Sequence, residues 1–397
     1  MKNKETPLLL LLAAIQFTNI LDFMIMMPMG KQIMEYYDIS NTAFNFLVAS
    51  YVFAAGISGI VAANFLDNFD RRNSLIFTYG SFLVGTFLCA IAPSFAFLVT
   101  ARIFTGIFGG IIGAQILAII ADVVPFERRA SAMGVTMASF SLASVIGVPM
   151  GIFISEPWGW KAPFFLIAGV GVLVWIYSFK MIPSLKSHLG NKRNKAFEIF
   201  SVAFRKGSPR IALIMMVIMT TGHFMVVPNI ANFVQFNLGF SERELLLVYL
   251  IGGLVSLFTN PFVGKQADRF GKQKVFVIMV LLNSIPVLLL TNLSASSLVL
   301  TLCITAMFFA FSSGRFSPAQ ALITQAVEPR FRGSFMSFLS AMQQIGAGIG
   351  AVISGLVMSQ APDKSYIGFP VVGIISVSVG LMCLFFIGKI KPLPSNS

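Results

Sequence analysis

Gly264-Lys265-Gln266-Ala267-Asp268-Arg269-Phe270-Gly271-Lys272 is a polar loop between two long apolar runs, and it has a counterpart in the other half of the chain. The counterpart is Leu66-Asp67-Asn68-Phe69-Asp70-Arg71-Arg72, in which Asp67 lies 201 residues before Asp268 and Phe69 keeps the same register with Phe270. A second pair of loops repeats as well. Pro125-Phe126-Glu127-Arg128-Arg129-Ala130-Ser131 answers to Glu328-Pro329-Arg330-Phe331-Arg332-Gly333-Ser334. Duplication on the scale of half a chain, in apolar surroundings, is the pattern of a secondary transporter whose binding site lies between two repeats near the bilayer midplane.

The text around these loops is a membrane protein's. The 397 residues are 56% hydrophobic and 11% charged, with a mean hydropathy of +0.85, too little charge to cover a water-facing surface. A spanning helix takes roughly 20 apolar residues. That length predicts spans over 7–30, 43–66, 74–92, 95–121, 131–154 and 162–182, then 211–237, 245–264, 275–292, 298–325, 334–360 and 366–388. The expected fold is an all-α membrane protein of twelve transmembrane helices in two pseudo-symmetric six-helix bundles, 1–182 and 211–397, joined by a central loop, 183–210. Within that loop, Ala196–Arg205 reads either as an amphipathic helix on the inner leaflet, its basic residues near lipid phosphates, or as a solvated tether. The first apolar run follows Lys2 and Lys4 but is too long for a signal peptide and lacks a small-residue cleavage site, so it is read as a retained helix. Cys89, Cys303 and Cys383 all fall inside spans without metal-ligand spacing.

The net charge of +13 is a topology signal. With the amino terminus in the cytoplasm, 22 of the 28 Lys and Arg fall on the cytoplasmic side, four on the other, and Arg102 and Arg315 within helices. The positive-inside bias therefore places both termini and the central loop in the cytoplasm of a bacterial inner membrane, with membrane lipid, not nucleic acid, as the partner of the basic residues.

These features together resemble the major facilitator superfamily, over the whole chain. The second-half loop Gly264-x-x-x-Asp268-Arg269-x-Gly271-Lys272 matches the family's cytoplasmic signature; the first-half copy departs from it at Ala63, Asn68 and Asp70. Arg102-x-x-x-Gly106 resembles the motif of proton-linked members, and Gly147-Val148-Pro149-Met150-Gly151 the antiporter motif of exporters, with Val148 interrupting it. Leu21-Asp22 with Pro28 is similar to the drug:proton antiporter branch, which includes sugar and nucleoside exporters. The resemblance implies a conformational gate at Asp67, Asp268, Arg269 and Lys272, with Asp122 pairing with Arg71. A carboxylate at such a helix end suits the unpaired N–H groups of a facing helix. These charges serve equally to enforce topology. Gly147, Pro149 and Gly151 are read as helix-packing residues that permit close approach and a bend.

A charge at the centre of a span costs roughly 2.5–3.5 kcal/mol on insertion scales, so each one needs an account. Asp22 lies eight residues before Gly30, and Arg102 eight residues after Ser94. At about 1.5 Å per residue both sit roughly 12 Å below the outer boundary, where an ion pair can form. Protonation of Asp22 would release Arg102, coupling a proton to a conformational change; the alternative is a static pair that only fixes packing. His223 stands 201 residues after Asp22, and Asp22-Phe23-Met24 answers to His223-Phe224-Met225. It is a proton site, a substrate hydrogen bond or a packing residue. Arg315, ten residues from Gln325, is too deep to snorkel and has no acid left to neutralise it. It is expected to face the central cavity and bind an anionic or zwitterionic substrate, or else to rest on carbonyls near Pro318 and on Gln320. Met26 and Phe224 are candidates to line an apolar cavity. Asn19, Asn229, Asn232, Gln235, Gln320 and Gln344 are candidate hydrogen-bonding positions.

The sequence carries no Walker motif, no Ser-His-Asp arrangement and no metal cluster, which argues against an enzyme and requires no cofactor. The expected function is alternating-access, proton-coupled efflux of a small organic molecule by a monomer. A proton-coupled importer or uniporter is the alternative, and a non-transporting sensor a remote one.

Overall fold

The computed structural model describes residues 2–62, 69–125, 128–185, 207–294, 297–327 and 332–390. Asp67 and most of the central loop, including Ala196–Arg205, lie outside the described residues. Among the described residues twelve helices are long and apolar enough to cross a membrane. In chain order these spans are Glu5–Ile25, Asn41–Ala62, Arg71–Ala90, Phe95–Val123, Ala132–Trp158 and Ala162–Met181, then Ser208–Phe236, Glu242–Phe270, Lys272–Thr291, Leu298–Gln325, Phe335–Val357 and Phe369–Ile387.

The first six spans repeat their packing in the last six. Second on fourth, third on fourth, third on sixth, first on fifth and first on sixth return as eighth on tenth, ninth on tenth, ninth on twelfth, seventh on eleventh and seventh on twelfth. Between the sets, the second packs on the eleventh and the fifth on the eighth, each the image of the other. The second–eleventh seam runs antiparallel: Thr42 meets Gly355, Phe53 meets Gly348, and Gly56 meets Ile345. A Cβ on Gly56 would sit 2.9 Å from Ile345 and 3.0 Å from the Ala341 carbonyl, so the close approach depends on that glycine.

Proline shapes three spans. The first ends at Ile25 rather than running on to residue 30, because Pro28 cannot donate to the Met24 carbonyl and disfavours helix in the residue before it. The chain turns there and resumes in a short helix, Gly30–Tyr37, which hydropathy alone does not separate. In the fifth span Pro149 leaves the Val145 carbonyl without its donor, and Ala143–Gly147 widens into a π turn in which the Val148 N–H reaches the Ala143 carbonyl. In the tenth span Pro318 does the same to Gly314, and the helix breaks at Arg315 into Leu298–Gly314 and Phe316–Gln325.

Candidate transport site

Asp22 and Arg102 meet. Arg102 Nη1 donates to Asp22 Oδ2 at 2.7 Å, and Thr86 Oγ1 donates to Asp22 Oδ1 at 2.9 Å. The acid is 0% and the arginine 1% exposed, so the pair is dry. The Arg102 guanidinium lies 4.3 Å from the centre of the Tyr51 ring, and its Nε has no hydrogen-bond partner. A pair of this kind is costly to half-break, because removing one charge strands the other: about 3–5 kcal/mol. Tyr51 provides a second, charge-insensitive seat for the guanidinium, so loss of the carboxylate's charge does not leave it without contacts. Neither Thr86 nor Tyr51 stood out in the sequence, since one hydroxyl or ring in an apolar span carries no depth or partner information.

From Tyr51 an aromatic path crosses to the other set of spans. Phe23 stacks on Tyr51 at 5.4 Å and meets Phe224 at 6.0 Å, and Phe224 stands edge-on to His223 at 5.4 Å. The His223 ring also stacks on Phe308 at 6.1 Å and meets Phe316 edge-on at 5.6 Å. Its Nδ1 shares a 3.1 Å hydrogen bond with Ser312. The two titratable groups related by the repeat are thereby joined through three rings, Tyr51, Phe23 and Phe224. Phe224 thus lies on the seam between the sets, and Met26 is 1% exposed inside the main apolar core.

Arg315 sits at the break in the tenth span and is 3% exposed. Contrary to the expectation that it faces the central space, its Nη1 is directed at the twelfth span, 3.8 Å from where a Cβ on Gly380 would lie. Its guanidinium is 5.9 Å from the Phe316 ring, and its Nε has no partner. Among the described residues no carboxylate and no hydrogen bond reaches this guanidinium, and that includes Gln320. Arg315 stands behind Phe316 and His223, one layer into the second bundle.

The amide candidates divide. Asn19 Nδ2 donates to the Gly109 carbonyl at 3.2 Å and ties the first span to the fourth. Gln344 lies half-buried on the eleventh span opposite Gly56, and Gln320 is half-buried on the tenth. Asn229 is fully buried in a three-cornered lock at the end of the bundle away from the termini. Asn45 Nδ2 donates to Asn229 Oδ1 at 3.0 Å, Asn229 Nδ2 to Ser354 Oγ at 3.0 Å, and Ser354 Oγ to Asn45 Oδ1 at 3.2 Å. Asn45 belongs to the first set of spans and the other two to the second. Around the lock, Thr42 Oγ1 donates to the Gly355 carbonyl at 2.6 Å, Gln32 Nε2 to Glu242 Oε1 at 3.2 Å, and Asn232 packs against Gly30 with its Nδ2 3.8 Å from Met34 Sδ. Gln235 is buried nearby on the same helix. In this structure Asn229 and Asn232 are therefore both engaged in contacts between the two sets of spans.

At the opposite end, Arg71 Nε pairs with Asp122 Oδ2 at 3.3 Å, the contact that the resemblance implies. Asp70, where the first-half loop departs from the signature, caps the third span. It accepts from the Arg72 N–H at 3.0 Å, the Leu185 N–H at 2.9 Å and Ser184 Oγ at 2.6 Å. Its position just before an apolar run was the available sequence signal. Asp268 is 77% exposed, with Lys272 Nζ at 3.9 Å, and Arg269 lies over Phe270 at 5.1 Å. Gly147 and Gly151 both face the first span: a Cβ on Gly147 would lie 2.8 Å from Leu21, and one on Gly151 would strike Ile25. Buried Pro149 lies between them.

The family model of the Major Facilitator Superfamily matches residues 12–255 and 212–397. The chain is 24% identical to the uncharacterized MFS-type transporter YbcL of Bacillus subtilis (strain 168) over 89% of either chain. It is 22% identical to a probable sugar efflux transporter of Helicobacter acinonychis (strain Sheeba), over 90% of this chain and 88% of that one. A crystal structure of a bacterial homologue of the human lysosomal transporter Spinster, inward-facing and occupied, superposes with a TM-score of 0.81 at 16% identity over all of both chains. Twelve spans, a repeated packing pattern and a family match covering nearly the whole chain make this protein a multi-pass membrane transporter, not an enzyme, and a member of the Major Facilitator Superfamily.

Proposed function

We propose that the protein exports a small organic molecule in exchange for protons, with Asp22 as the proton site and Arg102 as the group it releases. The observation that carries this is the dry 2.7 Å pair, whose guanidinium also rests on the Tyr51 ring. A carboxylate held this way loses its hold on Arg102 when protonated, and an element with two discrete arrangements is what alternating access requires. Its likeness to a sugar efflux transporter favours export. Import runs the same cycle in reverse, and the direction is read from substrate flux in oriented proteoliposomes under an imposed pH gradient. The residues before 183 and after 210 act as the moving bundles, with the Asn45–Asn229–Ser354 lock closing the mouth away from the termini. Asp268, exposed and loosely paired, and the Arg71–Asp122 pair belong to the opposite gate, which tightens when that lock opens. His223 serves as the second polar station along the path.

Both termini lie in the cytoplasm of a bacterial inner membrane, because Lys and Arg concentrate on their side. In a cysteine-free background, Cys at position 241 reacts with an impermeant maleimide applied outside and Cys at position 187 does not; the reverse pattern overturns the orientation.

The substrate carries a negative or zwitterionic group. Arg315 is a membrane cation that no acid among the described residues neutralises, and in a low-dielectric interior its positive potential extends into the neighbouring space past His223. Acting at that distance, it requires charge but not guanidinium geometry. Arg315→Ala is expected to weaken binding of the charged substrate about tenfold, a change of about 1.4 kcal/mol. Arg315→Lys restores it, and an uncharged analogue is unaffected by either. Equal loss for both ligands means that the residue only packs.

A further inference from the structure

The third and sixth spans enclose a groove apart from the Asp22–Arg102 centre. It has a volume of about 950 Å³ and runs from Arg72 to Phe87 on one wall and from Phe165 to Phe179 on the other. Fifteen helical residues rise roughly 22 Å, more than the depth of one leaflet of a 30 Å hydrocarbon core. Small residues hollow it out. Without a side chain, Gly80 lets Trp175 lie across it, with the indole Nε1 donating to the Ile76 carbonyl at 2.8 Å, and a Cβ on Gly169 would meet nothing within 4 Å. The rims are exposed aromatics, Phe77 at 68% and Phe87 at 46%. Both walls are membrane spans, so what reaches the groove comes from the bilayer.

One end is charged. Arg72 Nη2 donates to the Phe179 carbonyl, its Nε is buried without a partner, and among the described residues no carboxylate pairs with it. Asp70, two residues earlier, spends its oxygens on the Arg72 N–H, the Leu185 N–H and Ser184. Lys180 follows Phe179 and is exposed. A half-buried cation at headgroup depth that no carboxylate among the described residues neutralises, above an apolar channel longer than a leaflet, is complementary to a lipid that has a phosphate and carries net negative charge.

We propose that this groove is a binding site for an anionic phospholipid from the leaflet on the side of the chain termini, with one acyl chain along the wall at Gly169 and its phosphate on Arg72. The site is separate from the Asp22–Arg102 centre, and its failure leaves the transport reading intact.

The test is native mass spectrometry of the detergent-purified full chain with phosphatidylglycerol and phosphatidylcholine of equal chain length. The wild type is expected to retain phosphatidylglycerol about fivefold better, the preference that one basic side chain near a lipid surface confers. Arg72→Gln equalises the two lipids, while Gly169→Leu, which fills open space at a helical position, lowers retention of both without lowering the melting temperature. If Gly169→Leu melts early, Val172→Phe on the same wall narrows the groove instead. Equal retention of the two lipids by the wild type, or undiminished retention in the groove-filling variant that stays folded, overturns the site. So does efficient cross-linking of Cys at position 77 between two copies of the chain, which would mean that a protein helix occupies the groove.

Discussion

Asp22→Asn is expected to lower substrate-driven proton movement by about 100-fold or more, the factor that roughly 3 kcal/mol represents, while leaving the chain folded. The carboxylate is fully buried and holds Arg102 at 2.7 Å and Thr86 at 2.9 Å. Asparagine keeps the shape and still accepts one hydrogen bond, but it can neither take up a proton nor attract the guanidinium by charge. It therefore resembles the protonated state permanently, and the cycle loses the step that depends on release. Arg102 retains its contact with Tyr51, which limits the cost of stranding a buried cation. Proton flux is read with a pH dye inside proteoliposomes when substrate is added. Thr86→Val separates the roles: it removes one hydrogen bond and leaves the acid titratable, so coupling persists at a reduced rate. Undiminished proton movement in Asp22→Asn would make the pair a packing element and move the coupling site elsewhere.

Asn229→Leu should open the mouth that the three-cornered lock closes. The substitution takes the donor from Ser354 Oγ and leaves Asn45 Nδ2 with Asn41 alone, cutting the Asn45–Asn229 bond between the two sets of spans, at about 1–3 kcal/mol for a buried group short of a partner. In the opposite state those groups reach water, so the penalty falls on the closed form and shifts the ratio of states about tenfold to a hundredfold. Spin labels on Ser40→Cys and Asp363→Cys, at the same end on the two sets of spans, report it. The expected distance distribution gains a longer component in Asn229→Leu. An unchanged distribution, with the variant folded, would reduce the lock to packing. Ser354→Ala removes one corner and should give a smaller shift in the same direction.

Residue counting reached far because depth in a membrane is one-dimensional. Eight residues before Gly30 and eight after Ser94 were enough to bring Asp22 and Arg102 to the same level, and the structure joins them. The Arg71–Asp122 pair came from the resemblance, and the 201-residue offset from the repeat. What counting does not supply is direction around the helix axis. The tenth span has no single polar stripe that says which way Arg315 points; its packing on the eighth and ninth spans turns the side chain toward Gly380 rather than the seam. For the same reason Asn229 was legible as a polar residue in a span but not as part of a seal. Its partners lie 184 and 125 residues away on other helices.

The sequence by itself determined that the chain crosses a membrane twelve times in two related halves and that one acid and one arginine share a depth. Apolar length, loop charge and duplication are local quantities, set by the cost of exposing polar backbone to lipid. Only the tertiary structure decided which asparagines meet across the halves, that three rings link Asp22's neighbourhood to His223, and that Arg315 lies behind them. Each of these depends on the rotation of helices about their axes, which is set by contacts between residues far apart in the chain.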